Sequence, residues 1–360
     1  MRLLFRTLMA LAFTTFSCQA LGCTGVKLAT HDGGVIHGRT LEFAVPLTTS
    51  IVVVPRKYTF FGTTSEGKGL SYTANYAVVG VMLFNDPAVV DGMNEKGLSV
   101  GTFYFPEYAQ YTKLTKENQS KALSPVELPN FLLTQFATVN EVKSAMNRIV
   151  VVGTPLESWG NKTPPFHYIV YDKTGASVVI EPINGKLALY DNNLGVLTNS
   201  PNFDWHMTNL RQYINLTTKN PSPLKIDGLV MASLGQGGGM VGLPGDFTPP
   251  SRFVRAAIFS YTALASKTRD QAVLQAFHIL NQFDIPLGVV RGTENGKVHL
   301  DYTVMTSVRD PQALKYYFKT YENPSTAVVD LNAFDLNATT IKKWRIKGEE
   351  RIKDISSQLK

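Results

Sequence analysis

The stretch CQALGCTGVKLATHDGGVIHGRTLEF, residues 18–43, predicts how this chain begins to fold. Two runs of strand-forming residues, GVKLAT and VIHGRTLEF, flank Asp32-Gly33-Gly34. Glycine adopts the positive φ angle that a tight turn requires, so the two runs predict an antiparallel hairpin. Cys23 then stands at the start of the first strand. Both cysteines of the chain, Cys18 and Cys23, lie in this stretch.

Residues 1–22 have the pattern of a bacterial export signal. Arg2 and Arg6 precede a short apolar run, and the small residues Ala20 and Gly22 occupy the −3 and −1 positions of a cleavage site. The apolar run is shorter than the ~20 residues that a helix needs to cross a bilayer. We therefore expect removal of residues 1–22, delivery to the periplasm or extracellular medium of a bacterium, and no membrane span.

Cleavage after Gly22 makes Cys23 the first residue and the only cysteine, and the net charge falls from +7 to +7 − 2 = +5 as Arg2 and Arg6 leave. An exported protein seldom keeps a lone thiol unless the chemistry of that thiol is used. Three alternatives stay open: an inert buried thiol, the lipid-modified first residue of a lipoprotein, and cleavage at another position. Ala20 stands where lipid-attachment signals usually have Leu, which argues against a lipoprotein.

The rest of the chain predicts a single α+β domain over residues 23–360. Strand runs such as YAVVGVMLF, HYIVYDK and SVVIEPI are separated by groups of helices rather than by single helices in repeated βαβ units. This order favours layered antiparallel sheets with helices packed outside.

The helices are predicted from their capping patterns and apolar spacing. Thr138 with Glu141 and Thr268 with Gln271 have the capping-box spacing that begins a helix. Helices are expected at about residues 125–149, at 251–264 and from 268 onward.

Several other features argue against alternative kinds of protein. The one dense basic cluster, Lys342–Lys347, is predicted to be a solvated terminal helix, and no aromatic platform for nucleic acid accompanies it. The six histidines are too dispersed for a metal-ligand spacing, so no metal site is expected. The Gly-rich segment 235–245 lacks the Lys-Ser/Thr ending of a phosphate loop and is predicted to be a flexible loop bordering the site.

An N-terminal cysteine combines a nucleophile and a base in one residue. Its α-amine has a pKa of about 8 and lies within a few ångströms of the thiol, whose proton it can accept. A neighbouring Arg favours the thiolate further, and donors aimed at the developing oxyanion complete a site for attack on an amide carbonyl.

Four segments of the chain resemble the choloylglycine hydrolase family, which contains bile salt hydrolases and penicillin V acylases. They are CTGVKL…GRTLEF (Cys23–Phe43), DGMNEKGLSVGTFYFP (Asp91–Pro106), GVLTNSPNFDWHMTNLRQY (Gly195–Tyr213) and GLPGDFTPPSRFVRAA (Gly242–Ala257). The resemblance implies an N-terminal-nucleophile (Ntn) hydrolase fold, a four-layer αββα sandwich of two antiparallel sheets.

The resemblance also implies roles for individual residues. Cys23 matches the family's nucleophile, Arg39 the Arg beside its sulfur, and Asn199 the Asn whose side-chain amide donates to the oxyanion. Arg252 matches a second functional Arg. Tyr104 stands where penicillin V acylases often have Tyr and bile salt hydrolases Asn, and its backbone amide is expected to be the second oxyanion donor.

Glu42 departs from the family, which usually has Asp at this position. Its side chain is one methylene longer and is still expected to accept a hydrogen bond from the α-amine. The alternative is a solvated strand carboxylate without a catalytic role.

Together these observations predict an exported amidase that hydrolyses linear, non-peptide carbon–nitrogen bonds without a metal or an organic cofactor. The expected partner is a small-molecule amide, and Tyr104 favours penicillin V-like or fatty-acyl substrates, including acyl-homoserine lactones, over conjugated bile acids. The resemblance implies a homo-oligomer, a tetramer. Two alternatives remain: a lipid-anchored envelope binding protein of the same fold without turnover, and a homologue that Glu42 has made inactive.

Overall fold

The computed structural model describes residues 22–43, 49–83, 88–294, 296–349 and 352–359. Apart from Gly22, the predicted export signal lies outside the described residues. Within them, no helix combines the length and the hydropathy needed to cross a bilayer.

Helices and strands follow one another in groups along the chain. The strands are, in chain order, β1 Cys23–Ala29, β2 Val35–Phe43, β3 Thr49–Val54, β4 Thr59–Thr64, β5 Gly67–Thr73, β6 Val78–Leu83, β7 Val89–Asn94, β8 Ser99–Tyr104, β9 Ala122–Leu123, β10 Val150–Val151, β11 Phe166–Tyr171, β12 Ser177–Ile183, β13 Lys186–Asp191, β14 Leu224–Ile226, β15 Leu229–Met231, β16 Val290–Glu294, β17 Lys297–Asp310, β18 Lys315–Thr320, β19 Ala327–Asp330 and β20 Lys342–Arg345. The α-helices are α1 Leu128–Gln135, α2 Val139–Ala145, α3 Phe203–Leu210, α4 Pro249–Thr262 and α5 Arg269–Leu280.

Most of these strands belong to two antiparallel sheets. One has the order β1-β2-β17-β18-β19, with β16 also paired to β17. The other has the order β13-β12-β11-β8-β7-β6-β3-β20. Neighbours in each sheet are mostly consecutive in sequence, because hairpin connections join antiparallel strands most simply.

The two sheets face each other across an apolar core. Leu41 and Met305 of the first sheet belong to the same buried cluster as Val79, Val81 and Met93 of the second. On the outer faces, α4 and α5 contact the first sheet, and α1 and α2 contact the second. Strand β2 is accordingly buried along its whole length. This is the four-layer αββα arrangement, so the prediction of the fold is confirmed.

The β1–β2 hairpin places the candidate nucleophile beside an arginine. Gly25 pairs with Arg39 across the hairpin, and Gly33 in the turn has a φ of 78°. Paired residues project to one face, so the side chains of Cys23 and Arg39 are diagonal neighbours facing the second sheet. A Cβ atom at Gly25 would lie 2.9 Å from the Phe103 ring, so glycine leaves room for that ring.

The predicted helix starts are confirmed. Thr138 Oγ1 accepts a hydrogen bond from the Glu141 amide at 3.2 Å, and Thr268 Oγ1 accepts one from Gln271 at 3.3 Å. The block expected at 125–149 consists of two helices, α1 and α2, because Phe136 adopts an extended conformation between them.

The prediction of a terminal helix at Lys342–Lys347 is wrong. Residues 342–345 form β20, which pairs with β3 at the edge of the larger sheet. An edge strand leaves backbone groups that need partners, and exposed lysines suit such a position because they discourage further strand addition. Helix α3 was likewise not anticipated.

A buried ion pair joins the two sheets. Asp91 of β7 accepts from Arg309 Nη1 of β17 at 2.7 Å, and its second carboxylate oxygen accepts from Ser307 Oγ at 2.8 Å and from the Tyr316 hydroxyl. All four residues are buried. Charges removed from water need such partners, because an uncompensated charge in this position is strongly unfavourable.

Replacing Asp91 tests how far this ion pair holds the sheets together. Asp91→Ala leaves the Arg309 guanidinium buried without its counter-ion, and we expect the free energy of unfolding to fall by about 3–5 kcal/mol. Urea denaturation measures this change. Thr138→Ala, which removes a helix cap, serves as a control that should cost about 1 kcal/mol. A loss for Asp91→Ala no larger than that of the control would contradict the expectation.

Candidate active site

The sulfur of Cys23 lies against a guanidinium group. Arg39 Nη2 donates to Cys23 Sγ at 2.7 Å, and both side chains are buried. Arg39 is held in place by the carbonyls of Thr102, at 2.6 Å, and Thr40, at 3.1 Å, and by the Phe103 ring, whose centroid is 4.3 Å from the guanidinium carbon. A cation held at this position stabilises a thiolate relative to a thiol.

Two effects oppose each other at the Cys23 thiol. Burial raises its pKa above the ordinary value for cysteine, and the charge of Arg39 lowers it without cancelling the effect of burial. The free energy that a thiolate loses on leaving water exceeds the electrostatic stabilisation that one guanidinium provides. The thiol therefore keeps its proton until a base accepts it.

Asn199 joins the backbone of Cys23 to the second sheet. Its side-chain Oδ1 accepts from the Cys23 nitrogen at 2.9 Å and from Arg252 Nη2 at 2.7 Å. Its Nδ2 donates to the Tyr104 carbonyl at 2.8 Å. An amide nitrogen carries two hydrogens, so this group has a second N–H to offer in addition to the one bound by Tyr104.

Arg252 lies in the first turn of α4 and is buried against the start of β1. Its Nη1 donates to the Cys23 carbonyl at 2.6 Å and to Thr24 Oγ1 at 2.9 Å, and its Nε donates to the Phe247 carbonyl at 2.8 Å. Burial lowers the pKa of this guanidinium below its usual range. A cation near a helix N-terminus is unfavourable by itself, so these acceptors and the Asn199 side chain account for its position.

Glu42 is buried beside the same residues. Its Oε1 accepts from Thr303 Oγ1 at 3.0 Å, and its Oε2 has no hydrogen-bond partner in the described part of the chain. Burial raises the pKa of Glu42 to about 7, although Arg252 and Arg39 act in the opposite direction. The Glu42 amide donates to the Gly22 carbonyl at 3.0 Å, and a Cβ atom at position 22 would stand 3.6 Å from Glu42 Cβ, so Gly22 lies beside the Glu42 side chain.

A cavity opens next to the sulfur and is largely apolar. Cys23, Arg39, Glu42 and Thr102 contribute to its wall, and the remaining lining residues are Leu41, Phe43, Leu83, Val90, Tyr104, Trp159 and Phe166. Trp159 contacts three of the aromatic rings, with centroid distances of 5.4 Å to Phe43, 5.6 Å to Phe166 and 6.4 Å to Tyr104. Trp159 was not expected from the sequence, since a lone Trp in the short 3₁₀-helix between β10 and β11 belongs to no motif.

The structure thus brings together every residue that the resemblance singled out. Cys23, Arg39, Glu42, Asn199 and Arg252 form one buried cluster. Tyr104 contributes its carbonyl to Asn199 and its side chain to the cavity. The donor role expected for its backbone amide stays a prediction.

Two other expectations concern the surroundings of the site. No group of three His, Cys, Asp or Glu side chains suited to a metal ion occurs among the described residues. The segment predicted as a bordering loop, residues 235–245, is exposed or half-buried, and the carbonyls of Pro244 and Asp246 at its end accept from Arg255 Nη1. The next residue, Phe247, holds Arg252, so this end of the segment adjoins the site.

The raised pKa of Glu42 predicts a pH-dependent stability. A carboxyl group whose pKa rises from 4.5 when unfolded to about 7 when folded stabilises the fold while it is protonated. Its contribution is complete below the unfolded pKa and is lost as the pH rises through about 7. Between pH ~4 and pH ~7.5 we therefore expect it to remove up to about 3 kcal/mol from the free energy of unfolding.

Urea denaturation of the full-length chain at these two pH values, compared with Glu42→Gln, measures this contribution. Glutamine keeps the size and the polarity of the side chain but does not titrate. The fall in stability should be smaller in the variant by the stated amount. An identical fall in both proteins would show that Glu42 does not titrate in this range.

Known proteins resemble this chain over nearly its whole length. A model of the "Linear amide C-N hydrolases, choloylglycine hydrolase family" matches residues 23–344. The bile salt hydrolase/transferase of Clostridium perfringens is 38% identical over 330 residues, which covers 90% of this chain and 96% of that protein. The penicillin V acylase of Pectobacterium atrosepticum is 27% identical over 340 residues, which covers 89% of this chain and 84% of that protein.

A solved structure agrees with these sequence matches. A variant of the conjugated bile acid hydrolase from Clostridium perfringens superimposes with a TM-score of 0.83 at 34% identity, covering 93% of this chain and 100% of that one. The family match, the shared fold and the cluster around Cys23 lead to one conclusion. The chain belongs to the choloylglycine hydrolase family and is a hydrolase of carbon–nitrogen bonds in linear amides.

Proposed function

We propose that this protein is an exported amidase whose nucleophile is the Cys23 thiol and whose base is the α-amine uncovered by removal of residues 1–22. One observation carries the proposal: Arg39 Nη2 lies 2.7 Å from the Cys23 sulfur inside a buried site. A structural thiol needs no buried cation beside it. A nucleophile does, because the cation stabilises the thiolate that attacks the substrate.

Acylation of the enzyme is the first half of the proposed reaction. The α-amine accepts the thiol proton, the sulfur bonds to the substrate carbonyl carbon, and the π electrons move to the oxygen. The second N–H of Asn199 Nδ2 and the Tyr104 backbone amide stabilise this oxyanion. The carbon–nitrogen bond then breaks, the leaving nitrogen takes the proton back from the α-ammonium, and a thioester remains.

Hydrolysis of the thioester is the second half. Water gives a proton to the same α-amine and attacks the acyl carbon, and the carbon–sulfur bond breaks. The thiolate regains its proton, and the carboxylic acid leaves. Arg252 Nη1 binds the Cys23 carbonyl through both halves, at 2.6 Å in this structure. It thereby keeps the thiol and the amine of Cys23 in fixed positions.

Glu42 is the proposed acceptor for the new amine. Gly22 packs beside the Glu42 side chain, 3.6 Å from its Cβ if position 22 carried a Cβ atom, so cleavage after Gly22 should leave the α-ammonium near a buried carboxyl whose Oε2 has no partner among the described residues. Thr303 Oγ1 binds Oε1 and fixes the longer side chain. We therefore propose that Glu42 takes the role of the Asp that the family usually has, rather than inactivating the site.

The cavity supports an apolar acyl group as the part of the substrate that enters beside the sulfur. Four aromatic side chains line it, and Trp159 contacts the other three. Such a wall suits a phenyl ring or an alkyl chain. We propose N-acyl amides of the penicillin V and acyl-homoserine lactone type as better substrates than conjugated bile acids.

A panel of three substrates tests the reaction and its specificity. The purified protein should release amine from penicillin V and from a long-chain acyl-homoserine lactone with a higher kcat/KM than from glycocholate. Cys23→Ser should lower kcat by roughly a thousandfold or more, as loss of a hydrolase nucleophile does. A preference for glycocholate would refute the assignment of the substrate. Equal turnover by Cys23→Ser would refute the thiol mechanism itself.

A lipid-anchored binding protein without turnover is the competing proposal. It requires a thioether at Cys23, but that sulfur is buried and accepts from Arg39, so a diacylglyceryl group attached there would lie inside the protein rather than in a bilayer.

We also propose a homotetramer, supported by the exposed apolar side chains of the β14–β15 hairpin, which are Leu224, Ile226, Leu229, Val230 and Met231.

Mass spectrometry of the protein recovered from the periplasm or the medium tests export, processing and assembly together. The denatured chain should have the mass of residues 23–360 with an unmodified N-terminal Cys, and the native complex should have four times that mass. A diacylglyceryl adduct would support the lipoprotein. A different first residue would leave the thiol without its amine and refute the proposed base.

A further inference from the structure

Two buried histidines bind consecutive carbonyls in the segment that carries Asn199. His206 Nε2 lies 2.8 Å from the Asn199 carbonyl oxygen, and His167 Nε2 lies 3.1 Å from the Thr198 carbonyl oxygen. A carbonyl oxygen only accepts hydrogen bonds, so each Nε2 carries its hydrogen and donates. Both imidazoles are fully buried, although neither contacts the Cys23 sulfur through any described interaction.

His206 is itself held by the helix that supplies Arg252. It projects from α3 and stacks on Phe253 of α4, with ring centroids 4.6 Å apart and an angle of 10° between the planes. Burial lowers the pKa of His206 to about 4, so the ring is neutral near pH 7 and serves as a donor without a charge. Asn199 is thus connected to α4 both through Arg252 and through His206.

His167 is held from the second sheet. Its ring stacks on Phe105 at a centroid distance of 4.2 Å, and its Nδ1 lies 3.0 Å from Glu181 Oε1. The same Glu181 oxygen accepts from the amide of Phe203, the first residue of α3, at 3.0 Å. Both His167 and the start of α3, which carries His206, are therefore bound to one buried carboxylate.

We propose that His206 and His167 are positioning residues for Asn199: by binding the Asn199 and Thr198 carbonyls, they fix the peptide planes and so the direction in which the Asn199 side-chain amide points. This inference rests on the proposed oxyanion role of Asn199. Each of the two peptide planes is held less firmly without its histidine donor, and an oxyanion donor that is misdirected by a fraction of an ångström loses much of its effect on the transition state.

Variants of His206 separate the hydrogen bond from the packing. His206→Phe retains the stacking on Phe253 but removes the donor, and we expect kcat to fall by about tenfold to a hundredfold, with KM changed by less than about threefold. His206→Gln returns an N–H near the same carbonyl and should recover part of that loss. The assays use whichever substrate of the three-substrate panel the wild-type protein turns over fastest.

A double-mutant cycle with Asn199→Ala tests whether His206 acts through Asn199. Asn199→Ala alone should lower kcat by about 10²–10³-fold. Adding His206→Phe should then cause no further loss, because the group that it positions is already absent. Alkylation of Cys23 by iodoacetamide should proceed at the wild-type rate in His206→Phe, which a collapsed site would not allow.

A matched control is available in His37. This buried histidine lies 3.3 Å from Ser99 Oγ, stacks on Tyr171, and makes no described contact with Thr198 or Asn199. The fold-change in kcat caused by His37→Phe should be the same in the wild-type protein and in Asn199→Ala, as expected for a residue that acts independently of Asn199. If His206→Phe fails to fold, His206→Met takes its place in the cycle, since methionine adapts to irregular core spaces.

The outcomes distinguish this inference from the proposed function. Wild-type kcat in a folded His206→Phe or His206→Met, or effects that multiply with Asn199→Ala, would overturn the positioning role and leave the proposed function intact. Undiminished turnover by Asn199→Ala would overturn the oxyanion role of Asn199, whatever the His206 variants do.

Discussion

The contact between Arg39 and the Cys23 sulfur depends on the way the two sheets are packed. A guanidinium that is almost fully buried needs an acceptor for its N–H groups, because it has lost the water that would otherwise solvate it. Arg39 finds one in its own strand, one in β8 of the opposite sheet, and one in the sulfur. The sandwich therefore directs the third donor at Cys23, and a shift of one sheet against the other would remove it.

The sequence predicted best those parts of the fold in which local chemistry and tertiary packing agree. The Gly33 turn and the Thr138 and Thr268 caps require only a few neighbouring residues, and each is found as expected. Residues 342–345 were misread because their basic composition suits a solvated helix as well as an edge strand. The choice between the two depends on β3, which lies far away in the sequence and offers an unpaired edge.

In the site, too, the sequence predicts contacts between near neighbours better than contacts between distant residues. The spacing of Cys23 and Arg39 follows from one hairpin, but Asn199 binds the Cys23 nitrogen across 176 positions, and no periodicity in the sequence reports such a contact. Resemblance to the family supplied Asn199 and Arg252. It did not supply Trp159, His167 or His206. Trp159 contacts other aromatic rings, and the two histidines bind backbone carbonyls. Every residue has a backbone carbonyl, so the sequence does not show which one a histidine binds.

Gly22 has a consequence for when this protein becomes active. While Gly22 is attached, the Cys23 nitrogen is part of a peptide bond, and an amide nitrogen has no lone pair available to take up a proton. A Cβ atom at position 22 would stand 3.4 Å from Arg252 Nη2 and 3.6 Å from Glu42 Cβ, which are ordinary van der Waals distances, so Gly22 packs directly against both residues of the site. Under the proposed cleavage, the newly made chain is a zymogen, which stays latent until a peptidase removes residues 1–22.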